Sequence, residues 1–172
     1  MNQQIKQHMS TIFRSAVERV NPYDVITSQV KLDGSELSIE TETAHESIDL
    51  DTFKEIVILG AGKAGAPMAR AIEDLLGERI TRGVVVVKSG HLDRVHRVRL
   101  LEASHPVPDQ RSVDAGRQIL AEAEKGDADT LFLILVSGGG SALLESPRSA
   151  TLDGETLEIT LEDIQRTTSV LL

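Results

Sequence analysis

The sequence predicts an α/β domain of the doubly wound kind: a mostly parallel sheet with helices on both faces, plus a small hairpin near the N-terminus. Three observations lead there. The runs at 56–59, 84–87 and 131–136 are apolar without alternation, as strands covered on both faces must be. Stretches with helical spacing separate most of these runs. Each run also breaks into a turn rich in glycine, serine or proline, the punctuation of a strand handing over to a loop.

Taken in order, Ile5, Met9, Ile12, Phe13, Ala16, Val17 and Val20 recur three and four apart and mark one apolar face of a helix. Asn21-Pro22 ends it, and Pro22 suits the first turn of a short second helix through Tyr23 and Val25. Residues 30–39 alternate apolar and polar about Asp33-Gly34, a hairpin with one wet face. Residues 40–47 read as a polar loop leading to the strand at Ile56. Beyond that strand, Met68, Ala69, Ala71, Ile72, Leu75 and Leu76 keep helical spacing until Gly77 stops them. Pro67 is tolerable only in a first turn, so this helix starts near Lys63 or Ala64.

The strand at 84–87 ends in Lys88-Ser89-Gly90-His91, and the strand at 98–103 ends in Ser104-His105-Pro106-Val107-Pro108-Asp109. A helix through Val113, Gly116, Ile119, Leu120 and Ala123 leads to the strand at 131–136 and then to Ser137-Gly138-Gly139-Gly140-Ser141. Thr160, with Asp163 three residues on, has the form of a capping box for a last helix through Ile164, Thr168, Leu171 and Leu172. That helix stops on apolar residues, as expected of a piece of a longer polypeptide.

The 172 residues suit one domain with a sizeable core, which must be aliphatic because aromatics make up only 2%. A net charge of −9 argues against a nucleic-acid or anionic-membrane surface, so any anion must be caught locally. The absence of cysteine removes disulfides, thiolate metal sites and a thiol nucleophile. No apolar run is long enough to span a bilayer and no secretory leader is visible, so a soluble cytoplasmic protein is expected.

Two glycine turns carry the chemistry. Gly60, Gly62 and Gly65 follow one buried strand and open a helix, where unpaired N–H groups and a helix dipole make an anion site, most simply for phosphate. Their spacing satisfies the dinucleotide pattern, but the next strand ends in Lys88 where an acid should hold the ribose; the Walker spacing also fails, at Val57 and Ala64. Lys63 would set an ammonium beside the bound anion, a natural task in phosphoryl transfer; a solvated lysine on a packing turn is the alternative. Three consecutive glycines, Gly138 to Gly140 between Ser137 and Ser141, imply close backbone approach to a ligand on the same sheet edge, against a plain flexible turn. Lys88, His91 and His105 lie at that edge as candidates for binding substrate, the histidines by holding a carboxylate or relaying a proton, or as structural hydrogen-bonders. Asp109 reads equally as a ligand contact or a helix N-cap. No transition-metal spacing and no Gly-x-Ser-x-Gly elbow is present.

The ordered set Leu59-Gly60-Ala61-Gly62-Lys63-Ala64, Ala66-Pro67-Met68-Ala69, Gly90-His91, His105-Pro106-Val107-Pro108-Asp109, Ser137-Gly138-Gly139-Gly140-Ser141-Ala142-Leu143 and Thr160-Leu161-Glu162-Asp163 resembles the N-terminal domain of the ATP-dependent glycerate 2-kinases. The second domain of that family is called MOFRL, and many members carry the label hydroxypyruvate reductase. The resemblance runs over nearly the whole chain, departing at Ser89 and Ser104 from the larger residue and the glycine expected there. It implies an active site between two domains, transfer of the ATP γ-phosphoryl group to the 2-hydroxyl of glycerate, a magnesium ion with the ATP, a catalytic Lys63, and a turn at 137–141 that handles phosphate or the glycerate carboxylate. It further implies active-site residues outside this chain, which alone should be inactive; a homodimer is left open. The rival readings are an NAD(P)H-dependent hydroxypyruvate reductase and a module that binds ligand without turnover.

Overall fold

A computed structural model describes residues 3–152 and 154–172. The chain begins with α1 (Gln3–Arg19) and α2 (Pro22–Gln29), the second opened by Pro22 and capped by Asn21, whose side chain accepts from the Tyr23 N–H. Next come β1 (Val30–Asp33), β2 (Glu36–Glu40) and β3 (His45–Asp49) as an antiparallel sheet. The expected hairpin is there, but part of the segment expected to be loop forms its third strand. Ile48, paired with buried Leu37, is the one apolar anchor of β3, too sparse a signal to mark a strand beforehand.

The main sheet uses β4 (Glu55–Ala61), followed by α3 (Gly65–Leu76), then β5 (Arg82–Lys88), β6 (Val98–Ala103), α4 (Gln110–Ala123) and β7 (Thr130–Val136). Its order is β6-β5-β4-β7, all parallel, so β4 is central. Alternate residues of β4 face opposite layers, as strand geometry requires. Ile56 and Ile58 pack with Ala66, Ala69 and Ile72 of α3 and with Val30 and Leu37 of the small sheet. Val57 and Leu59 pack toward Ile119 of α4, and Ala61 with Ala115. Helices therefore cover both faces. Side chains as fully buried as Ile58, Val85 and Val86 each contribute on the order of 1.5–3 kcal/mol.

Gly77 terminates α3 at φ 51°, as expected. Beyond β7 lie a single helical turn, α5 (Gly140–Leu143), an unanticipated hairpin of β8 (Ser149–Leu152) and β9 (Glu155–Glu158), and α6 (Leu161–Leu171), opened by the Thr160–Asp163 capping box. Two apolar surfaces differ from expectation. The stripe of α1 forms but is uncovered, with Ile12 and Phe13 each 71% exposed. β7 is an edge strand, and because α4 packs over β4, β5 and β6, Ile134 and Val136 remain 57% and 68% exposed. Among the described residues, no helix is long and apolar enough to cross a membrane.

Candidate active site

The parallel register of β4 with β7 ends at Ala61 opposite Val136, so the turns after these two strands leave the sheet side by side. They are stitched together. The Ser137 N–H donates to the Ala61 carbonyl (3.1 Å), the Lys63 N–H to the Gly138 carbonyl (3.0 Å) and the Ala64 N–H to Ser137 Oγ (3.0 Å). Gly62 N–H donates to Val86 and Gly65 N–H to Gly62. Four successive amides of the first turn are thus consumed by the fold. Its glycines have packing reasons: a Cβ on Gly62, which also has φ +146°, would collide with Ser137 Oγ, and one on Gly60 with the Leu135 carbonyl. A Cβ on Gly65 would stand 2.8 Å from Val85 Cγ1.

The second turn is different. Among the described residues, no intramolecular hydrogen bond uses the amides of Gly138, Gly139, Gly140 or Ser141. Gly139 has φ +91°, a left-handed conformation costly to any other residue. Its missing side chain makes room: a Cβ there would lie 2.7 Å from His105 Nε2 and 3.3 Å from Lys63 Cγ, and one on Gly138 would lie 3.9 Å from Lys63 Cε. Lys63 therefore rises from the first turn and lies along the second. The unpaired amides expected at the first turn are found at the second instead, and the cation comes from the first.

His105 is half-buried against this turn. Burial first, then repulsion from Lys63 and Lys88, holds its imidazole below the ordinary range and so neutral at pH 7. Lys88 ends β5 half-buried, close enough for its charge to be felt at His105. His91 is not drawn in: it is exposed, with Nδ1 3.2 Å from the Ser89 carbonyl. Asp109 caps α4 and pairs with Arg111, which also donates to Ser89 Oγ. Burial opposes its charge, but the Arg111 guanidinium and the α4 amides hold its carboxyl below the usual range.

One residue went unremarked in the sequence. Glu145 follows α5 and, with His105, Ser141 and Thr168, lines a cleft of about 360 Å³ on the α6 side of the triple glycine. Its side chain has no hydrogen-bond partner among the described residues, and burial pushes its carboxyl up. Its backbone is fixed: the N–H donates to Ser112 (3.1 Å), and its carbonyl abuts α4 where Gly116 lacks a side chain. The available signal was an acid four residues beyond Ser141, with a glycine inside a helix to admit it. On the opposite side of the turn, an apolar groove of about 580 Å³ runs beside Ile119, Ile134 and Val136.

A protein-family model described as "Domain of unknown function (DUF4147)" matches residues 8–172. The chain belongs to the DUF4147 family. Its curated relatives include a glycerate 2-kinase of Pyrococcus horikoshii, 31% identical over 91% of this chain and 32% of that protein. They also include a putative hydroxypyruvate reductase of Agrobacterium vitis, 46% identical over 53% of this chain and 24% of that protein. The solved glycerate kinase of Thermotoga maritima superposes on 99% of this DUF4147 chain and 35% of its own, with TM-score 0.69 and 28% identity. The resemblance read from the motifs and the α/β fold class are both borne out. The chain spans about a third of the length of the glycerate kinases it matches.

Proposed function

We propose that this chain is the N-terminal part of an ATP-dependent glycerate 2-kinase, and that the turn at 138–141 with Lys63 is its phosphoryl site. The carrying observation is a turn with four unclaimed amides, 138–141, along whose Gly138 and Gly139 the Lys63 side chain lies, because phosphoryl transfer is catalysed mainly by positioning and charge neutralisation. The amides of 138–141 hold phosphoryl oxygens and Lys63 neutralises the charge that develops on them. Gly60, Gly62 and Gly65 serve by closing the first turn so that Lys63 points at the second. Neutral His105 and charged Lys88 border the acceptor, whose carboxylate Lys88 attracts; His91 stands further out.

In this reading, a second domain of the MOFRL type closes the cleft and packs on the uncovered apolar surfaces; the isolated chain is inactive, and the protein works in the cytoplasm. Among the described residues no group of three carboxylate, histidine or cysteine side chains is placed to hold a metal. Magnesium in this chemistry arrives on the nucleotide phosphates, neutralising their charge, and no step here is assigned to it. Lys63→Ala in the intact protein is expected to cut glycerate phosphorylation by about 10²–10³-fold with folding retained, the scale of losing one transition-state contact. Undiminished turnover would overturn the assignment.

The label of the Agrobacterium relative and the Gly60-x-Gly62-x-x-Gly65 pattern favour a second reading, an NAD(P)H-dependent hydroxypyruvate reductase. Against it, the amides that would cradle a pyrophosphate are already bonded within the protein. Nicotinamide absorbance with hydroxypyruvate and NADPH distinguishes the two.

A further inference from the structure

The kinase reading needs a group to take the proton of the acceptor hydroxyl, and none is supplied by the lysine or the glycine turn. We propose that Glu145 is that catalytic base and that the cleft it shares with His105, Ser141 and Thr168 is the acceptor subsite. This rests on the kinase reading and extends it.

Three features of the cleft favour that assignment. First, its size: about 360 Å³ is ample for a three-carbon hydroxy acid and tight for a nucleoside triphosphate. Second, its position: Ser141 belongs both to the turn with free amides and to the cleft wall, so an acceptor lying here faces a phosphoryl group held on 138–141. Third, its inventory: among the described lining residues, His105 and Glu145 are the titratable side chains, and Glu145 is the acid. The elements around Glu145 are the segment after β6, which brings His105; α6, which brings Thr168; and α4, which meets the Glu145 backbone at Ser112 and Gly116. Among the side chains these elements contribute to the cleft only His105 titrates, and it is held neutral; the charged residues of α4 and α6, such as Asp114, Arg117, Asp163 and Arg166, are not among the lining residues.

His105 is the less suitable base because its ring tip abuts Gly139 beside Lys63, on the phosphoryl side. A half-buried carboxylate without a partner, raised by desolvation, has the character wanted of a base working near neutrality. The acceptor hydroxyl oxygen forms the new O–P bond, the bond from that phosphorus to the leaving nucleoside diphosphate breaks, and the hydroxyl proton passes to the Glu145 carboxylate and then to solvent.

The test uses the intact protein with glycerate, ATP and magnesium. Glu145→Gln, nearly isosteric at a side chain with no partners, is expected to lower kcat by about 10²–10⁴-fold while both KM values stay within about threefold. The wild-type kcat, which declines as pH falls through the raised carboxyl pKa, loses that acidic limb in the variant. Glu145→Asp, which keeps the carboxylate, recovers part of the rate. The proposal is overturned if Glu145→Gln keeps wild-type kcat, or if its deficit is relieved by raising magnesium, which would make Glu145 a metal ligand. Should Lys63→Ala abolish phosphorylation while Glu145→Gln does not, the kinase reading stands and the base assignment falls. Should the wild type fail to phosphorylate glycerate, both fall.

Discussion

The two central glycines of the second turn should respond very differently to a methyl group. In Gly139→Ala the new residue must hold φ near +91° and ψ near 1°, which costs an L-residue about 1–2 kcal/mol. The added Cβ also stands 2.7 Å from His105 Nε2, closer than atoms tolerate, so the imidazole must move off its rotamer for about 0.5–1.5 kcal/mol more. The sum is roughly 1.5–3.5 kcal/mol, which for a chain of this size lowers Tm by about 2–4 °C per kcal/mol. Gly138 has no positive φ, and its Cβ would meet only Lys63 Cε at 3.9 Å, an ordinary contact. Gly138→Ala should therefore fall within about 0.5 kcal/mol of the parent. Urea unfolding followed by circular dichroism, with a thermal melt in parallel, measures both. Equal midpoints for the two variants would refute the strained Gly139 geometry and, with it, the placement of His105 over the turn.

Other consequences can be checked separately. By NMR, His105 should titrate below its ordinary value near 6.5, and Lys63→Ala should raise the midpoint by removing a repulsive charge; an unmoved midpoint would separate the two side chains. Because this pKa is lower in the folded state, the unfolded chain binds more protons between the two values, so stability falls as pH drops through that window, and His105→Asn should flatten the slope. Glu73 of α3 is buried and accepts from the N–H groups of His96, Arg97 and Val98 at the entrance to β6. Glu73→Gln puts an amide donor against those donors and should cost about 2–4 kcal/mol by urea midpoint; a change below about 0.5 kcal/mol would contradict the anchoring role.

The order of strands and helices was legible because each buried run ends in a distinct turn and each helix carries its own apolar face. Legibility failed where the signal was one residue deep. β3 rests on Ile48 alone; the hairpin of β8 and β9 is a different case, because Ala150, Leu152, Leu157 and Ile159 alternate about Asp153-Gly154 as Val30, Leu32, Leu37 and Ile39 do about Asp33-Gly34, and it was legible by the same pattern. The exposed edge of β7 could not be foreseen, since six apolar residues in a row read the same in a central strand as in an edge strand. At the candidate site, the residue types marked two neighbouring turns, but which amides remain free depends on cross-strand register. Glu145 was invisible for a related reason: a lone acid stands out only when folding brings it into one cleft with His105.

Register also accounts for the division of labour between the turns. With β4 and β7 ending level, the first turn spends its N–H groups on its neighbours, on the Gly138 carbonyl and Ser137 Oγ among others. An anion cannot then be held by those amides, but the exchange fixes the Lys63 backbone relative to the second turn. A flexible lysine on a free loop would have to be ordered at each binding event, whereas here only its side chain must be placed. The second turn keeps its donors because three glycines without side chains can run past Lys63 and His105 without bonding to the first turn through Gly139 or Gly140. In the phosphoryl site proposed above, charge and donors would thus come from turns after different strands, cross-linked in advance of the ligand, the arrangement that electrostatic preorganisation requires.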